Sequence, residues 1–248
     1  MYRTLTDSQG VIGPDNPRYE TALEAERDFQ VLGFVFEMAA AHPTDSKFRE
    51  LIKNVLNDSV LPQDNRNQSK GRDFQFELFV AAICQNAGLT PVEREEPDVT
   101  CTVDRVKYGI AAKRVKSAGN LRKRIQKGAD QIQKAGLPGI IALETSLLFN
   151  QDNVRISLPI SDAQFGPLYE QALRNHIERY QDKIQEWVRG KGVRGVVFHD
   201  QQVRFDPTGE WSLAGMTMTL STAQLNQRRN REFRSFEQKY LKGLPNRL

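Results

Sequence analysis

The chain has 248 residues, of which 39% are hydrophobic and 27% are charged, and its formal net charge is +4. This composition is typical of a globular protein and argues against wholesale disorder. No apolar run approaches the roughly 20 residues needed to cross a bilayer, and the N-terminus lacks the apolar core of a secretory signal. The two cysteines, Cys84 and Cys101, fit neither a disulfide framework nor a zinc site. We therefore expect a cytoplasmic protein with no membrane partner.

Residues 1–70 predict an N-terminal helical segment. A helix is expected over 17–41, because a proline suits its first turn, acidic residues collect early, and a His-Pro pair favours a stop after it. A second, shorter helix is expected over 45–57. The polar stretch 57–71 is rich in helix breakers and predicts a loop that separates this segment from the rest of the chain.

Residues 71–150 predict a compact α/β core. The first helix shows apolar residues at helical spacing and a C-terminal glycine, and the strands show alternation or continuous apolar runs. The expected order is a helix, three strands, a helix and a strand, over residues 72–88, 89–95, 98–104, 106–115, 120–136 and 139–145. The final strand–helix–strand crossover implies at least one parallel pair of strands.

Residues 151–248 predict a C-terminal α+β extension of the same sheet, although a separate domain is left open. The extension is expected to contain a long helix, two strands and a basic C-terminal helix, over residues 162–192, 193–200, 211–221 and 223–241. Phe233, Phe236 and Tyr240 lie along one side of the last helix, which is typical of an amphipathic helix packed on a core.

Positive charge is concentrated in the middle of the chain. Residues 105–134 include ten basic side chains and only one acidic residue, Asp130. Such a concentration attracts phosphate backbones and speeds encounter with them. We expect nucleic-acid contact from the part of this run that begins at the end of the strand 106–115, namely from Arg114, Lys116, Arg122, Lys123, Arg124 and Lys127.

The predicted hairpin through the tight turn at Asp104-Arg105 brings an acid and a base together. In this register Asp98 lies opposite Ala111, and Lys113 lies one step further along the same face. A carboxylate can bind Mg²⁺, which prefers oxygen ligands, and an adjacent lysine can stabilise charge on a phosphate or hold the attacking water. The pair therefore suits phosphodiester hydrolysis.

These residues carry a resemblance to a known family. The helix "GRDFQFELFVAAICQNAG", then "EEPDV", "YGIAAKRVKS", "ADQIQKA" and "GIIALE", resembles the PD-(D/E)XK nuclease superfamily over roughly residues 72–144. The resemblance implies a restriction-endonuclease-like core, with Asp98 as the first acidic residue of the motif and Lys113 as its lysine. It also implies Glu77 as an added metal ligand or its support, and Gln131 or Gln133 as a polar residue directed towards the site.

The departure from the family pattern is Ala111, where the superfamily has Asp or Glu as a second metal ligand. Three explanations stay open. The carboxylate can come from elsewhere, with Glu77 as the first candidate and Glu96 or Glu144 behind it. The chain can be a natural binding-only relative, or it can carry an engineered glutamate-to-alanine substitution, which is the explanation we favour because the rest of the motif is kept.

The function implied by the resemblance is a metal-dependent DNA endonuclease that uses Mg²⁺, for which Mn²⁺ can substitute, and that is present here as a form inactivated at position 111. The alternative is a catalytically degenerate nuclease-fold module that binds nucleic acid or a protein partner. DNA is the expected partner, and a homodimer is left open because such enzymes often pair when they cut both strands.

Overall fold

The computed structural model describes residues 6–7, 10–11, 19–39, 46–56, 70–150, 156–157, 161–205, 211–222 and 226–245. The helices and strands are, in chain order, β1 (Thr6–Asp7), β2 (Gly10–Val11), α1 (Tyr19–Ala39), α2 (Ser46–Leu56), α3 (Lys70–Asn86), β3 (Val99–Val103), β4 (Val106–Arg114), α4 (Ala118–Ala135), β5 (Gly139–Glu144), α5 (Ser146–Phe149), β6 (Ile156–Ser157), α6 (Asp162–Glu178), α7 (Gln181–Trp187), β7 (Val193–Phe205), β8 (Trp211–Ser221) and α8 (Gln227–Lys242). The two predicted N-terminal helices are confirmed as α1 and α2, whereas most of the predicted loop at 57–71 lies outside the described residues.

The core is a six-stranded mixed sheet in the order β3-β4-β5-β7-β6, in which β8 also pairs with β7. β3 and β4 form an antiparallel hairpin, whereas β4, β5 and β7 run parallel to one another. β8 returns antiparallel along β7, so strands from the last third of the chain join the same sheet. The α/β class and the parallel pair expected from the crossover are confirmed.

Helices cover both faces of the sheet, and alternate residues of the strands face them in turn. Ile110 and Ala112 of β4 pack on one face with apolar residues of α1, α3 and α8. Ala111 of β4 and Leu143 of β5 pack on the opposite face with apolar residues of α4, α6 and α7. We call these the α3 face and the α4 face.

Two predicted elements differ from the structure. Residues 89–95 form no strand and contribute only an isolated bridge between Glu93 and Thr100. Pro91 and Pro97 flank this bridge, and proline has no N–H with which to continue a ladder. The single helix predicted over 162–192 is divided by a turn into α6 and α7. The turn redirects the chain, and the buried side of α7 then packs on the α4 face.

The turn between β3 and β4 fixes the register of the hairpin. Asp104 and Arg105 both adopt positive φ, at 49° and 66°, which suits the twist of a two-residue hairpin turn. The Asp104 carboxylate accepts hydrogen bonds from Ser235 and Lys239 of α8, so the tip of the hairpin is held by a distant helix. Val103 and Val106 close the ladder beside the turn. This register decides which side chains meet at the other end of the two strands.

Within the described parts of the chain, no helix combines the length and apolar character required to cross a bilayer.

The packing of α8 on β7 predicts that alanine substitutions at two glycines change the free energy of unfolding in opposite directions. A Cβ atom on Gly195 would overlap the Phe233 ring, whereas Gly33, on the exposed side of α1, has nothing within 4 Å of such an atom. We expect Gly195→Ala to lower the free energy of unfolding by about 1–3 kcal/mol through overpacking. Gly33→Ala should raise it by about 0.5–1 kcal/mol, because alanine reduces the backbone entropy of the unfolded chain. Urea denaturation measures both, and equal stabilities would contradict the close packing of Phe233.

Candidate functional site

The structure brings Asp98 and Lys113 together as the hairpin register predicts. Val99 pairs with Ile110, so Asp98, which directly precedes β3, lies opposite Ala111. The Lys113 ammonium group forms an ion pair with Oδ2 of Asp98. The side chain of Lys113 is 8% exposed and that of Asp98 is 12% exposed, so the pair is largely withdrawn from water.

Two further donors hold the Asp98 carboxylate. The backbone N–H of Ala112 donates to Oδ2 at 2.8 Å, and the amide nitrogen of Gln131 in α4 donates to Oδ1 at 3.2 Å. The same nitrogen donates to the carbonyl oxygen of Pro97 at 2.8 Å. Of the two glutamines predicted near the site, Gln131 therefore reaches it, whereas Gln133 is exposed to solvent.

Burial and charge pull the acidity of Asp98 in opposite directions. Burial raises the pKa of this carboxyl group above its ordinary value, while Lys113, the Ala112 N–H and Gln131 each lower it. The net direction is upward because removal from water disfavours the ionised form more than the single ammonium group compensates. A desolvated carboxylate of this kind responds strongly to any additional charge placed beside it.

The orientation of Gln131 leaves one oxygen atom without a partner. Because its amide nitrogen has two acceptors, its Oε1 atom must point elsewhere, and this atom is buried with no hydrogen-bond partner among the residues described. A buried acceptor without a partner is costly unless a donor or a cation completes it. The side chain that contacts Asp98 therefore carries an unpaired oxygen acceptor on its other side.

Position 111 lies under α4. Ala111 is fully buried, and a Cβ atom on Gly128 of α4 would lie only 3.2 Å from the Cβ atom of Ala111. A glycine within a helix lowers its stability, and here it permits close approach of the helix to the strand. The side chain at 111 thus stands on the α4 face between the Asp98 pair and the helix.

None of the three carboxylates proposed to replace the missing ligand is among the partners of Asp98. Glu77 belongs to α3, which covers the opposite face of the sheet. Glu96 is exposed and pairs with Lys134 at 3.4 Å. Glu144 pairs with Arg114 at 2.9 Å, and its register beside Arg114 places it on the α3 face.

The residues present do not form a magnesium centre. Mg²⁺ requires near-octahedral oxygen coordination, usually with one or two carboxylates. Asp98 is a single carboxylate whose charge is matched by Lys113, and the residues described contain no group of three His, Cys, Asp or Glu side chains able to hold a metal. What the arrangement lacks is a second carboxylate on the α4 face.

The predicted basic residues divide into an exposed set and a buried one. Arg122, Lys123 and Lys127 are exposed on α4 and make no ion pair within the described ranges. Their helix packs on the sheet through apolar residues on its other side, such as Ile125. Arg124 and Lys116 are partly buried.

Arg114 lies apart from this basic surface. It is only 5% exposed, and its side chain lies on the α3 face, bonded to Glu144. Arg114 was expected to contact DNA from the surface, but alternation along β4 sends it to the face opposite Lys113.

A second polar cluster, which the sequence did not predict, lies beyond the carboxyl end of β5 and beside the middle of β7. Asp200, which is 1% exposed, accepts hydrogen bonds from Thr145, Tyr169 and Gln202. The available signal was the abrupt change from an apolar strand to polar residues, as in the step from Leu143 to Thr145.

In comparisons with known proteins, no family model, no curated protein and no solved structure matches the chain. The resemblance to the PD-(D/E)XK superfamily therefore stays a prediction that rests on its motif residues and the order of the elements. The geometry around Asp98 and Lys113, together with the basic surface of α4, is the ground on which a function can be assigned.

The two glutamines of α4 provide a matched test of the site. Gln131→Leu removes the hydrogen bonds to Asp98 and Pro97, and we expect it to lower the free energy of unfolding by about 1–2 kcal/mol. Gln133→Leu, at an exposed position of the same helix, should change that free energy by less than about 0.5 kcal/mol. Chemical denaturation measures both variants, and equal effects would mean that the Gln131 contacts do not hold the segment before β3.

Proposed function

We propose that this chain is a nucleic-acid-binding protein with the framework of a metal-dependent DNA endonuclease, inactive in cleavage because Ala111 stands where a second metal-binding carboxylate is required. In this proposal the core is restriction-endonuclease-like. Asp98 is its first acidic residue and Lys113 its phosphate-stabilising lysine. As the chain stands, it binds DNA and does not cut it.

The observation that carries the proposal is the juxtaposition of Asp98, Lys113 and position 111 on one face of the hairpin. Asp98 and Lys113 are in contact, and Ala111 lies opposite Asp98 on β4. A carboxylate at 111 would therefore stand beside that of Asp98, and Lys113 would stay close to any phosphate that a metal holds there. Phosphodiester hydrolysis depends on this combination of oxygen ligands and a positive charge.

The unpartnered oxygen of Gln131 supports the same assignment. It is a buried acceptor beside Asp98 without a partner among the described residues. Amide oxygens are suitable ligands for hard cations or for the water that such a cation holds. One carboxylate and one amide oxygen do not suffice for Mg²⁺, and a second carboxylate at 111 would add both a ligand and a negative charge.

The surface of α4 supplies the means to hold a nucleic acid. Arg122, Lys123 and Lys127 project from the helix that also carries Gln131. A phosphate backbone bound along this helix would therefore run close to the Asp98 pair. Exposed lysines and arginines give affinity without reading the sequence of bases.

Glu77 has a weaker claim to a role than the resemblance implies. Its helix covers the face opposite Asp98, and Asp98 bonds to Lys113, Ala112 and Gln131 instead. We retain Glu77 only as a residue that can support the site from across the sheet. A homodimer stays a proposal, because enzymes of this kind often pair when they cut both strands of a duplex.

The alternative function is a catalytically degenerate module of the same fold that binds nucleic acid or a protein partner. It is favoured by the ion pair itself, because Lys113 already neutralises Asp98 and the chain contains no metal cluster within the residues described. Restoring the carboxylate separates the two functions.

Ala111→Glu should convert the protein into a nuclease that requires Mg²⁺ or Mn²⁺. A glutamate buried beside Asp98 is destabilising without a cation, since two close carboxylates repel each other in a site removed from water. We therefore expect divalent metal to raise the melting temperature of Ala111→Glu and not that of the unchanged protein. Cleavage of linear, supercoiled and single-stranded DNA is measured in the same buffers.

Two controls isolate the carboxylate. Ala111→Gln introduces a side chain of nearly the same size as glutamate but without its charge. Ala111→Glu combined with Asp98→Asn keeps the new carboxylate and removes the carboxylate of Asp98. Both should stay inert, and both should be less stable than the unchanged protein because Ala111 packs closely below Gly128. If Ala111→Glu folds yet neither gains stability from Mn²⁺ nor cuts any of these substrates, the nuclease framework is rejected and the binding module is preferred.

Removing charge from α4 should weaken DNA binding in a salt-dependent manner. We expect Lys123→Gln and Lys127→Gln each to reduce the slope of log K against log salt by roughly 0.9 for duplex DNA if the lysine contacts one phosphate. Lys53→Gln, on an exposed position of α2 across the sheet, is the matched control and should leave the slope unchanged. Fluorescence anisotropy at several salt concentrations tests this, and equal slopes for all three variants would place the DNA elsewhere.

A further inference from the structure

A small cavity with a partly polar lining lies on the α3 face, beyond the carboxyl ends of β4 and β5, and Val31, Phe76 and Phe79 form its apolar side. Its volume is about 40 Å³, which exceeds the roughly 10–15 Å³ that one water molecule needs. Residues of the helices α1 and α3 line one side of it. Its polar wall includes Arg27, Asp28, Arg72, Gln75, Arg114 and Glu144.

Each of the three arginines in this wall is paired with a carboxylate. Arg72 makes a two-pronged contact with Asp28, at 3.1 Å and 2.8 Å. Arg27 pairs with Glu24 at 2.7 Å. These contacts account for the buried positive charge on the α1 and α3 side of the cavity.

Arg114 is different, because one of its donors is unused. Its Nε atom donates to Glu144 at 2.9 Å, but its Nη1 atom is buried and has no hydrogen-bond partner within the described part of the chain. The side chain is only 5% exposed, so bulk water does not satisfy this donor. A buried guanidinium N–H without an acceptor is costly and is completed by a bound oxygen atom.

The unpaired donor of Arg114 favours an oxyanion over a cation as the occupant of the cavity. Arg27, Arg72 and Arg114 face Asp28 and Glu144, while Glu24 lies behind Arg27. His199 also borders the cavity, but burial lowers its pKa to about 3, so it adds no charge near neutral pH. The unused donor belongs to a cationic group, although the three arginines around the cavity are balanced by Glu24, Asp28 and Glu144.

We propose that this cavity binds a phosphate group, presented either by the end of a nucleic-acid strand or by inorganic phosphate. The planar fork of an arginine matches phosphate oxygens, and Arg114 has one arm of that fork free. A cavity of about 40 Å³ has no room for a stretch of strand, so only the end of a strand can enter. The strand-end source rests on the proposed function, whereas the inorganic source does not.

The site would also relate directly to the Asp98 pair. Arg114 and Lys113 are neighbours in β4 whose side chains lie on opposite faces. A strand end held at Arg114 would thus be anchored one residue from the lysine of the proposed cleavage site. This placement predicts a preference for phosphorylated ends over internal positions.

The test compares oligonucleotides of one sequence with a 5′-phosphate, a 3′-phosphate or neither, by fluorescence anisotropy. Melting curves with inorganic phosphate against chloride of equal ionic strength run in parallel. The unchanged protein should bind one phosphorylated form roughly tenfold more tightly, as one charge-assisted hydrogen bond implies, and phosphate should raise its melting temperature.

Two variants address the arginine without leaving a buried charge unpaired. Arg114→Lys keeps the charge beside Glu144 and removes the fork. Arg114→Gln combined with Glu144→Gln removes both charges. Each should lose the preference and the phosphate stabilisation, whereas Lys53→Gln should keep both. Circular dichroism establishes that the variants are folded.

The outcomes separate the two proposals. Phosphate stabilisation that depends on Arg114, without binding of any oligonucleotide, supports the cavity as a site for inorganic phosphate and rejects the nucleic-acid function. Equal binding of all three oligonucleotides, with no effect of phosphate, overturns the cavity proposal and leaves the DNA-binding proposal standing. A preference that persists in Arg114→Lys also overturns it.

Discussion

The polar chemistry of this protein depends on the pleat of one strand. β4 lies between β3 and β5, and its successive side chains point to opposite faces of the sheet. Ala111 and Lys113 therefore face α4, whereas Ala112 and Arg114 face α3. Because both faces are covered by helices, each polar side chain at the end of β4 must find partners in a confined space. A shift of register by one residue would exchange the two sets and dismantle both polar sites.

The partners found on the two faces are charged groups largely removed from water. An ion pair in such a position stabilises a fold only weakly, since the cost of removing both charges from water offsets their attraction. An apolar pair of similar size would serve the core at least as well. The Asp98–Lys113 pair, with the unused oxygen of Gln131 beside it, is consequently better explained by a role in binding than by stability alone.

Position 111 illustrates how one methyl group can separate two functions on the same framework. Ala111 packs below Gly128, and the helix approaches the strand closely at that point. The surrounding groups are a carboxylate, an ammonium group and an amide oxygen, which are the groups that a metal-dependent phosphodiester site needs apart from its second acid. Under the proposed function, such a framework would hold a nucleic acid without cutting it.

The sequence by itself determined the local features: the helices, the alternating strands, the tight turn at Asp104-Arg105, and hence the approach of Asp98 to Lys113. These depend on periodicity and turn chemistry, which act over a few residues. Residues two positions apart in a helix point about 200° apart around its axis, so Gln131 and Gln133 cannot both face Asp98. Only the tertiary structure decided that Gln131 is the one that does. It also decided that Arg114 turns away from the basic surface to meet Glu144. Both outcomes depend on how helices that are distant in the chain pack on the two faces of the sheet. No local sequence pattern specifies the rotation of such a helix about its own axis.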